Sequence, residues 1–199
     1  GYYQPQVDAD TSELRGVEAL VRWQHPELGM ISPDRFIPLA EETGLILPIG
    51  EWVLEQACEQ LARMQQQGYT DLSVSINVSV RQLEGQDIAN IINRLIEQTG
   101  ITPESLEVEI TESVMMKDPE TMIEALARLK QIGVGLALDD FGTGHSSLSY
   151  LQRFPFDRLK IDRAFVRNIT SSSDDAAIAI TIGAMAKSLK LEVIAEGVE

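Results

Sequence analysis

The stretch VGLALDDFGTG, residues 134–144, holds the pattern from which the fold can be inferred. Its first part, Val134–Leu138, is a short run of apolar and small residues, and the carboxylates of Asp139 and Asp140 follow it directly. Nearly continuous apolar runs of this length are typical of parallel strands that helices cover. When such strands close into a barrel, their carboxyl ends meet on one face, and that face carries the chemistry. The stretch therefore predicts a buried strand that brings two neighbouring acids to the functional rim of an α/β fold.

The same arrangement recurs along the chain. The strand candidates are Tyr2–Val7, Leu14–Leu20, Leu72–Val78, Leu106–Ile110, Val134–Leu138, Arg158–Ile161 and Glu192–Ala195. The polar residues at or near their ends are Glu18, Asn77, Glu109, Asp139, Asp140, Lys160 and Glu196. Gathered on one rim, these side chains supply five carboxylates, an amide and an ammonium group. Such a set predicts a divalent-metal site with a base and a cation beside it.

Helix signals separate the strand candidates. Apolar residues recur at helical spacing in Ser32–Gly44, Trp52–Gly68, Ile88–Gly100, Asp118–Gly133 and Asp174–Leu189, and we expect them to face the core. The polar connection Asp8–Ser12 is too short for a parallel crossover, so the first two strands should form an antiparallel hairpin. The predicted fold class is α/β: a modified TIM-like (β/α) barrel with an antiparallel first strand, with seven of eight strands visible.

The composition limits the classes of function. The 199 residues are 44% hydrophobic and carry a formal charge of −15, which argues against a partner such as polymeric nucleic acid because that contact requires a basic surface. A small phosphate substrate is compatible with this charge if bound cations or a local Arg or Lys offset it. Without an apolar run of membrane-spanning length or an export leader, the expected location is the cytoplasm, although other domains could anchor a longer parent protein to a membrane.

Several candidate residues have simpler structural explanations. Cys58 lies among helical residues without an accompanying Cys–His pattern, which favours a buried bystander over a nucleophile. We expect His25 and His145 to be loop residues rather than metal ligands. Acidic residues on helices or at their starts should be solvated charges; these are Glu41, Glu42, Asp87, Asp174 and Asp175.

Six motifs in order strengthen the prediction of a site. They are Glu18–Trp23, Ser75–Asn77, Glu109–Glu112, Asp139–Gly144, Lys160–Asp162 and Glu196–Glu199. Together they closely resemble the EAL domain family, bacterial phosphodiesterases that linearise the second messenger cyclic di-GMP. The resemblance covers essentially the whole chain. It implies a barrel with a two-metal site that opens one phosphodiester bond of cyclic di-GMP and releases linear pGpG.

The resemblance also implies roles for individual residues. Glu18, Asn77, Glu109 and Asp139 would hold a first metal, and Asp139 would bridge to a second that Asp140 helps to hold. Their oxygen atoms suit Mg²⁺ or Mn²⁺, with two ions in each site. Lys160 would stabilise developing negative charge, and Glu196 would act as the general base.

Residues around this set would support it. By resemblance, Arg22 and Leu20 contact the substrate, and Glu112 orders the loop that follows Asp139 and Asp140. Asp162 is expected on the same side of a strand as Lys160, and Glu199 is a further supporting residue in the last motif. The loop Phe141–Ser147 is expected to couple the metal site to a dimer interface, with a histidine at position 145 where the family commonly has tyrosine.

At the level of the whole protein, the interpretation is a single EAL-type barrel domain over residues 1–199, without its last strand and helix. We expect a homodimer and a longer parent chain with sensor or diguanylate-cyclase-like domains. A segment extended past Glu199 should be more stable and more active than residues 1–199 alone.

Three alternatives stay open at this point. A domain that retains the fold but not the reaction would be a cyclic di-GMP receptor, which binds the dinucleotide without consuming it. An enolase-like lyase would use metal-bound carboxylates with Lys160 as its base. A retaining glycosidase would use two carboxylates without metal, and it explains neither Asn77 nor Lys160.

Overall fold

The computed structural model describes residues 2–115, 118–142, 151–167, 169 and 173–198. The chain divides into two compact units, the first formed by residues 1–108 and 131–134 and the second by residues 109–130 and 135–199. None of the helices among the described residues is both long and apolar enough to cross a membrane.

The first unit contains the start of the chain and its antiparallel hairpin. Strand β1 (Tyr2–Val7) pairs antiparallel with β2 (Leu14–Leu20), and β2 pairs in parallel with β5 (Ser73–Asn77). The predicted hairpin and the parallel direction of the second strand are therefore confirmed. Between β2 and β5 the chain also forms a small hairpin from β3 (Trp23–His25) and β4 (Gly29–Ile31), which the sequence patterns did not predict.

Four α-helices lie in the first unit, and three of them begin or end at a clear signal. Helix α1 (Pro33–Thr43) ends at Gly44, α2 (Ile46–Gln66) runs for 21 residues, and α4 (Ile88–Thr99) begins at Asp87, whose side chain accepts a hydrogen bond from the Asn90 amide. The short helix α3 (Val80–Gly85) was not predicted; a capping box between Ser79 and Gln82 fixes its start. A 3₁₀ turn, Pro103–Ser105, leads into β6 (Leu106–Thr111), whose first half belongs to the first unit and whose second half belongs to the second.

The second unit contains the remaining strands. Strand β7 (Gly135–Phe141) pairs in parallel with β8 (Arg158–Ile161), and β8 pairs in parallel with β9 (Glu192–Ala195). Its helices are α5 (Glu112–Met115), α6 (Pro119–Ile132), α7 (Arg163–Val166) and α8 (Ser173–Ser188). All seven predicted strands are thus present, with ends that differ from the predicted ones by at most three residues.

Asp157 ties the beginnings of these three strands together. Its backbone amide donates to the Leu136 carbonyl at 2.9 Å, and its carbonyl accepts from the Glu192 amide at 3.0 Å. Its carboxylate accepts from the Leu136 amide at 2.8 Å and from Lys130 Nζ at 2.8 Å and 2.9 Å. One residue therefore joins β7, β8 and β9 at the ends where these strands begin.

The prediction that the helical stripes face the core holds only in part. Leu54, Leu61, Ile92 and Leu126 are buried as expected, but the side chains of Leu39, Trp52 and Ile178 are 54%, 49% and 40% exposed. These three corrections arise because helical spacing identifies an apolar side of a helix without showing how far neighbouring elements cover it. Cys58 is fully buried, and burial raises the pKa of its thiol to about 12, which agrees with its interpretation as a bystander.

Candidate metal and catalytic centre

A bulge in β7 presents the two adjacent aspartates. Leu138 pairs with Leu159 and Phe141 with Ile161, so Asp139 and Asp140 together lie opposite the single residue Lys160. Asp140 has a φ of 54°, in the left-handed region that aspartate tolerates better than most residues, and its amide donates to Asp139 Oδ1 at 2.8 Å. Bulges of this kind redirect side chains next to functional sites.

Lys160 lies at the centre of a buried ionic cluster in the second unit. Its ammonium group contacts Glu109 Oε2 at 2.6 Å, Glu196 Oε1 at 2.8 Å and Asp139 Oδ2 at 3.1 Å. The Lys160 side chain is only 1% exposed, and that of Glu109 is fully buried. Three carboxylates thus surround one cation, and the geometry brings together four residues that the sequence analysis selected.

Asp140 adds a further carboxylate to this cluster. Carboxylate oxygens of Asp139, Asp140 and Glu196 lie within 4.8 Å of one another, a spacing at which the three could hold a metal ion. The pKa of Asp140 is raised from 3.8 to about 6, first by burial, then by the charge of Asp139, and further by the hydrogen bond and charge of Asp162 and by the charge of Glu196. Like charges held this close favour a bound cation, and carboxylate oxygens are the ligands that Mg²⁺ and Mn²⁺ prefer.

Asp162 reaches the cluster from a different element than predicted. It was expected on a strand beside Lys160, but β8 ends at Ile161 and Asp162 is the N-cap of α7, where its side chain accepts from the Ala164 amide at 2.7 Å. The expected position on the strand is therefore wrong. Its hydrogen bond and charge nevertheless act on Asp140, which agrees with a supporting role.

The first unit brings two other predicted ligands together. Asn77 Nδ2 donates to Glu18 Oε1 at 2.7 Å, with Glu18 near the end of β2 and Asn77 at the end of β5. The hydrogen bond uses the amide nitrogen of Asn77. The oxygen of the same side-chain amide is a suitable ligand for a hard cation.

The predicted substrate residues line one cavity of the first unit. Leu20 and Arg22 line it together with Tyr2 and Trp52. Arg22 Nη1 donates to the Val21 carbonyl at 2.8 Å, and its guanidinium carbon lies 6.0 Å from the centroid of the Tyr2 ring. These contacts hold the guanidinium in place beside the cavity.

Glu112 supports the chain just after the two aspartates. It is buried at the start of α5, and its Oε2 accepts from the Gly142 amide at 3.0 Å. That contact agrees with its predicted role in ordering the following loop. Glu199, His145 and most of the loop Phe141–Ser147 lie outside the described residues. His25 was expected in a loop, but it is the last residue of β3; its Nδ1 accepts from the Glu27 and Leu28 amides, which agrees with the expected structural role.

One buried polar pair escaped the sequence analysis. Ser75 Oγ donates to Glu107 Oε1 at 2.8 Å, and both residues are buried. The available signal was the alternation Glu107-Val108-Glu109, in which a second acid lies two residues before a predicted ligand in an otherwise apolar strand.

Comparison with known proteins agrees with these motifs. The family model described as the EAL domain matches residues 1–199. This chain belongs to the EAL domain family. Among curated relatives, it is 44% identical over 198 residues to MucR of Pseudomonas aeruginosa, named a bifunctional diguanylate cyclase/cyclic di-GMP phosphodiesterase. It is 43% identical over 198 residues to NbdA of the same organism, named a cyclic di-GMP phosphodiesterase. The whole of the chain is matched in both cases, but it spans only 29% of MucR and 25% of NbdA.

Solved EAL structures share the fold. The MucR phosphodiesterase in complex with c-di-GMP superposes with a TM-score of 0.95 at 44% identity, covering 99% of this chain and 80% of that one. The EAL enzyme Bd1971 in its cGMP-bound form gives a TM-score of 0.94 at 37% identity, covering 100% of this chain and 55% of that one. The predicted fold class, a TIM-like α/β barrel with an antiparallel first strand, is therefore confirmed for this EAL domain.

Proposed function

We propose that this EAL domain is a metal-dependent phosphodiesterase that adds water across one phosphodiester bond of cyclic di-GMP and releases linear pGpG. The observation that carries the proposal is the cluster of Lys160 with Glu109, Asp139 and Glu196, next to the bulged Asp140. Support comes from the similarity to a MucR phosphodiesterase structure that contains c-di-GMP.

The metal ligands of the proposal are Glu18, Asn77, Glu109, Asp139 and Asp140, and the cofactor is Mg²⁺ or Mn²⁺ with two ions. The residues fit such ions because they offer hard oxygen atoms. Burial and the neighbouring carboxylates raise the pKa of Asp140, which means that they disfavour its charged form, and a bound cation would offset that effect. Bound divalent ions would polarise the phosphodiester and neutralise the charge that develops on its oxygens.

Two residues would act on the reacting atoms directly. Glu196 would take the proton from the attacking water, a role open to a half-buried carboxylate that can face the substrate. Lys160 would balance the negative charge of the carboxylates and of the phosphate as the bond to water forms. Its burial against Glu109 and Asp139 holds the ammonium in one place before substrate arrives, so little reorganisation is needed during the reaction.

Binding and support fall to the remaining predicted residues. Arg22 would bind a substrate phosphate, for which a forked guanidinium is well suited, and Leu20 would contact the dinucleotide in the same cavity. Glu112 would order the chain after the aspartates, with Asp162 and Glu199 in supporting roles.

At the level of the whole protein, we propose a homodimer acting in the cytoplasm, with sensor or diguanylate-cyclase-like domains elsewhere in the chain. The bifunctional name of MucR, together with the small share of it that this domain spans, supports further signalling domains. Those domains would determine the input signal and any attachment to a membrane.

The test is a chromatographic assay on the full-length protein with cyclic di-GMP and Mg²⁺ or Mn²⁺. We expect linear pGpG, and we expect a Glu18→Ala variant and a chelator-treated sample to produce none. Dinucleotide that stays intact but co-elutes with the protein would instead indicate a receptor. A folded protein that neither binds nor consumes cyclic di-GMP would contradict both functions.

A further inference from the structure

Ser75 and Glu107 form a buried polar pair that the proposed reaction does not use. Ser75 is 0% exposed and Glu107 is 4% exposed, and Ser75 Oγ donates to Glu107 Oε1 at 2.8 Å. Burying a carboxylate is costly even with a hydrogen-bond partner. Replacing both partners of a buried hydrogen bond by apolar groups of the same shape can be nearly neutral or stabilising. Fold stability therefore gives no sufficient reason for an acid at position 107.

The location of the pair supplies a reason. In the parallel pairing of β2 with β5, Ser75 lies directly opposite Glu18. Residues two apart along a strand project from the same face, so Ser75 also shares a face with Asn77. Asn77 Nδ2 in turn donates to Glu18 Oε1 at 2.7 Å. Ser75 is thus the immediate neighbour of both members of the Glu18–Asn77 pair.

We propose that Glu107, acting through Ser75, is a positioning residue that holds Glu18 and Asn77 in the geometry that binds a divalent cation. A hydrogen bond from a hydroxyl to a carboxylate is stronger than one between neutral groups, so it fixes the Ser75 side chain and this part of β5. Partners behind the ligands of a metal commonly determine the orientation of those ligands and the affinity for the ion. The inference rests on the proposed function only in taking Glu18 and Asn77 as metal ligands.

The experiment measures the affinity of the full-length protein for Mn²⁺ alone, without dinucleotide, from the EPR signal of the free ion. Ser75→Ala removes the donor, Glu107→Leu removes the acceptor, and Glu107→Gln keeps an acceptor of the same shape. The matched control is Ser73→Ala, which removes a half-buried serine two residues earlier on the same face of β5.

We expect Ser75→Ala and Glu107→Leu to raise the Kd for Mn²⁺ about tenfold or more, the usual size of such effects. Glu107→Gln should recover much of the affinity, and Ser73→Ala should match the wild type. Glu107→Leu leaves the buried Ser75 hydroxyl without its acceptor, so its metal-free form should melt lower than the wild type, and the Kd is therefore measured at a temperature at which every variant is folded. A change in stability alone would not produce this pattern.

Three results would overturn the proposal: a Kd unchanged in Ser75→Ala and Glu107→Leu, an equal loss in Ser73→Ala, or no Mn²⁺ binding by the wild type. If Glu107→Leu fails to fold, Ser75→Ala decides the question, since it removes one hydroxyl. Failure of the proposed function would look different. The wild type would bind Mn²⁺, and the variants would bind it less tightly, while cyclic di-GMP stayed intact.

Discussion

Asp139 and Asp140 lie side by side opposite Lys160, although consecutive residues of a regular strand would project from opposite faces of the sheet. The bulge and the left-handed backbone of Asp140 remove that alternation, so both carboxylates come within 4.8 Å of Glu196. The backbone therefore holds two carboxylates that repel each other close together. A bound cation would remove this repulsion, which favours its binding.

The raised pKa of Asp140 has a consequence for stability without metal. A folded-state pKa of about 6, against 3.8 in the unfolded chain, means that the folded state binds the proton more tightly. This contribution to stability is complete below the unfolded pKa and is lost as the pH rises through the folded pKa. Asp140→Asn carries no charge and tolerates the same backbone. We therefore expect this variant to melt higher than the wild type at pH 7.5 in chelator, with the difference vanishing near pH 4.

The comparison is made on the full-length protein by calorimetry across that pH range. Asp10→Asn serves as the control because Asp10 is exposed, and it should show no such trend. The same gain at both ends of the range would mean that the charge of Asp140 is not the cause. Adding Mn²⁺ at pH 7.5 should stabilise the wild type more than Asp140→Asn.

Lys160 should contribute strongly to stability in the absence of metal. Lys160→Met leaves Glu109, Asp139 and Glu196 without the ammonium that offsets their charge. Removing one partner of a buried ion pair costs about 3–5 kcal/mol. We expect a loss of that size in the free energy of unfolding, measured with denaturant in chelator at neutral pH.

Lys130→Met is the matched control for this loss. Lys130 pairs with Asp157 at 2.8 Å, but the two side chains are 33% and 47% exposed. Pairs this exposed contribute about 1 kcal/mol or less. Equal losses in the two variants would show that the buried ammonium does not compensate the carboxylates.

Gly142 is required by both its backbone and its surroundings. It has a φ of 101°, and a Cβ placed there would lie 2.9 Å from Phe165 Cε2 and 3.3 Å from Ile182 Cδ1. We expect Gly142→Ala to lower the free energy of unfolding by at least about 1–3 kcal/mol, the usual cost of such backbone strain. If the proposed function is correct, it should also lower the rate of cyclic di-GMP hydrolysis, since the Gly142 amide donates to Glu112.

The control is Gly183→Ala on α8, where an added Cβ would have no atom within 4 Å. Alanine in the middle of a helix is favoured over glycine by about 0.5–1 kcal/mol. Denaturant curves should therefore move in opposite directions for the two substitutions. A Gly142→Ala variant as stable as the wild type would contradict the strain argument.

Arg22 should affect substrate binding more than turnover, if the proposed function is correct. The Val21 carbonyl and the Tyr2 ring hold its guanidinium beside the cavity that Leu20 lines. Lysine keeps the charge but loses the fork, and a lost hydrogen bond to a charged group costs about 1.5–3 kcal/mol. We expect Arg22→Lys to raise KM for cyclic di-GMP about tenfold or more with a smaller change in kcat. Initial rates measure both quantities, and the exposed Arg15→Lys should change neither.

The strands could be predicted closely because several are nearly continuous apolar runs and because helix or turn signals separate most of them. Tyr2–Val7, Leu14–Leu20, Arg158–Ile161 and Glu192–Ala195 agree with the structure at both ends. The hairpin of β3 and β4 was missed because its strands are three residues long and several of its apolar side chains are exposed, which leaves no periodic pattern. Helix α3 was missed for a similar reason, since its six residues are too few for helical spacing to emerge.

The chemistry of the site could be predicted from residue types, but its arrangement could not. Sequence order placed Asp139, Lys160 and Glu196 at the ends of strands, and the second unit brings them together. The bulge at Asp140 is invisible in sequence because it depends on how β7 and β8 pair. Asp162 was assigned to a strand because it lies two residues after Lys160, the spacing of side chains on one face of a strand. A helix N-cap at that position has the same spacing, so the sequence does not distinguish the two.

The contacts of Asp157 imply that the second unit can be damaged in two separable ways. This residue joins β7, β8 and β9 where they begin, whereas the charged cluster stands where they end. Substitutions near the beginnings of these strands should reduce the yield of soluble protein. Amide substitutions of carboxylates at their ends, such as Glu196→Gln, should leave the yield intact and, if the proposed function is correct, abolish the reaction. A screen that selects variants by expression alone would therefore retain inactive proteins. A domain that keeps its fold and loses its activity could arise through changes at only one end of these three strands.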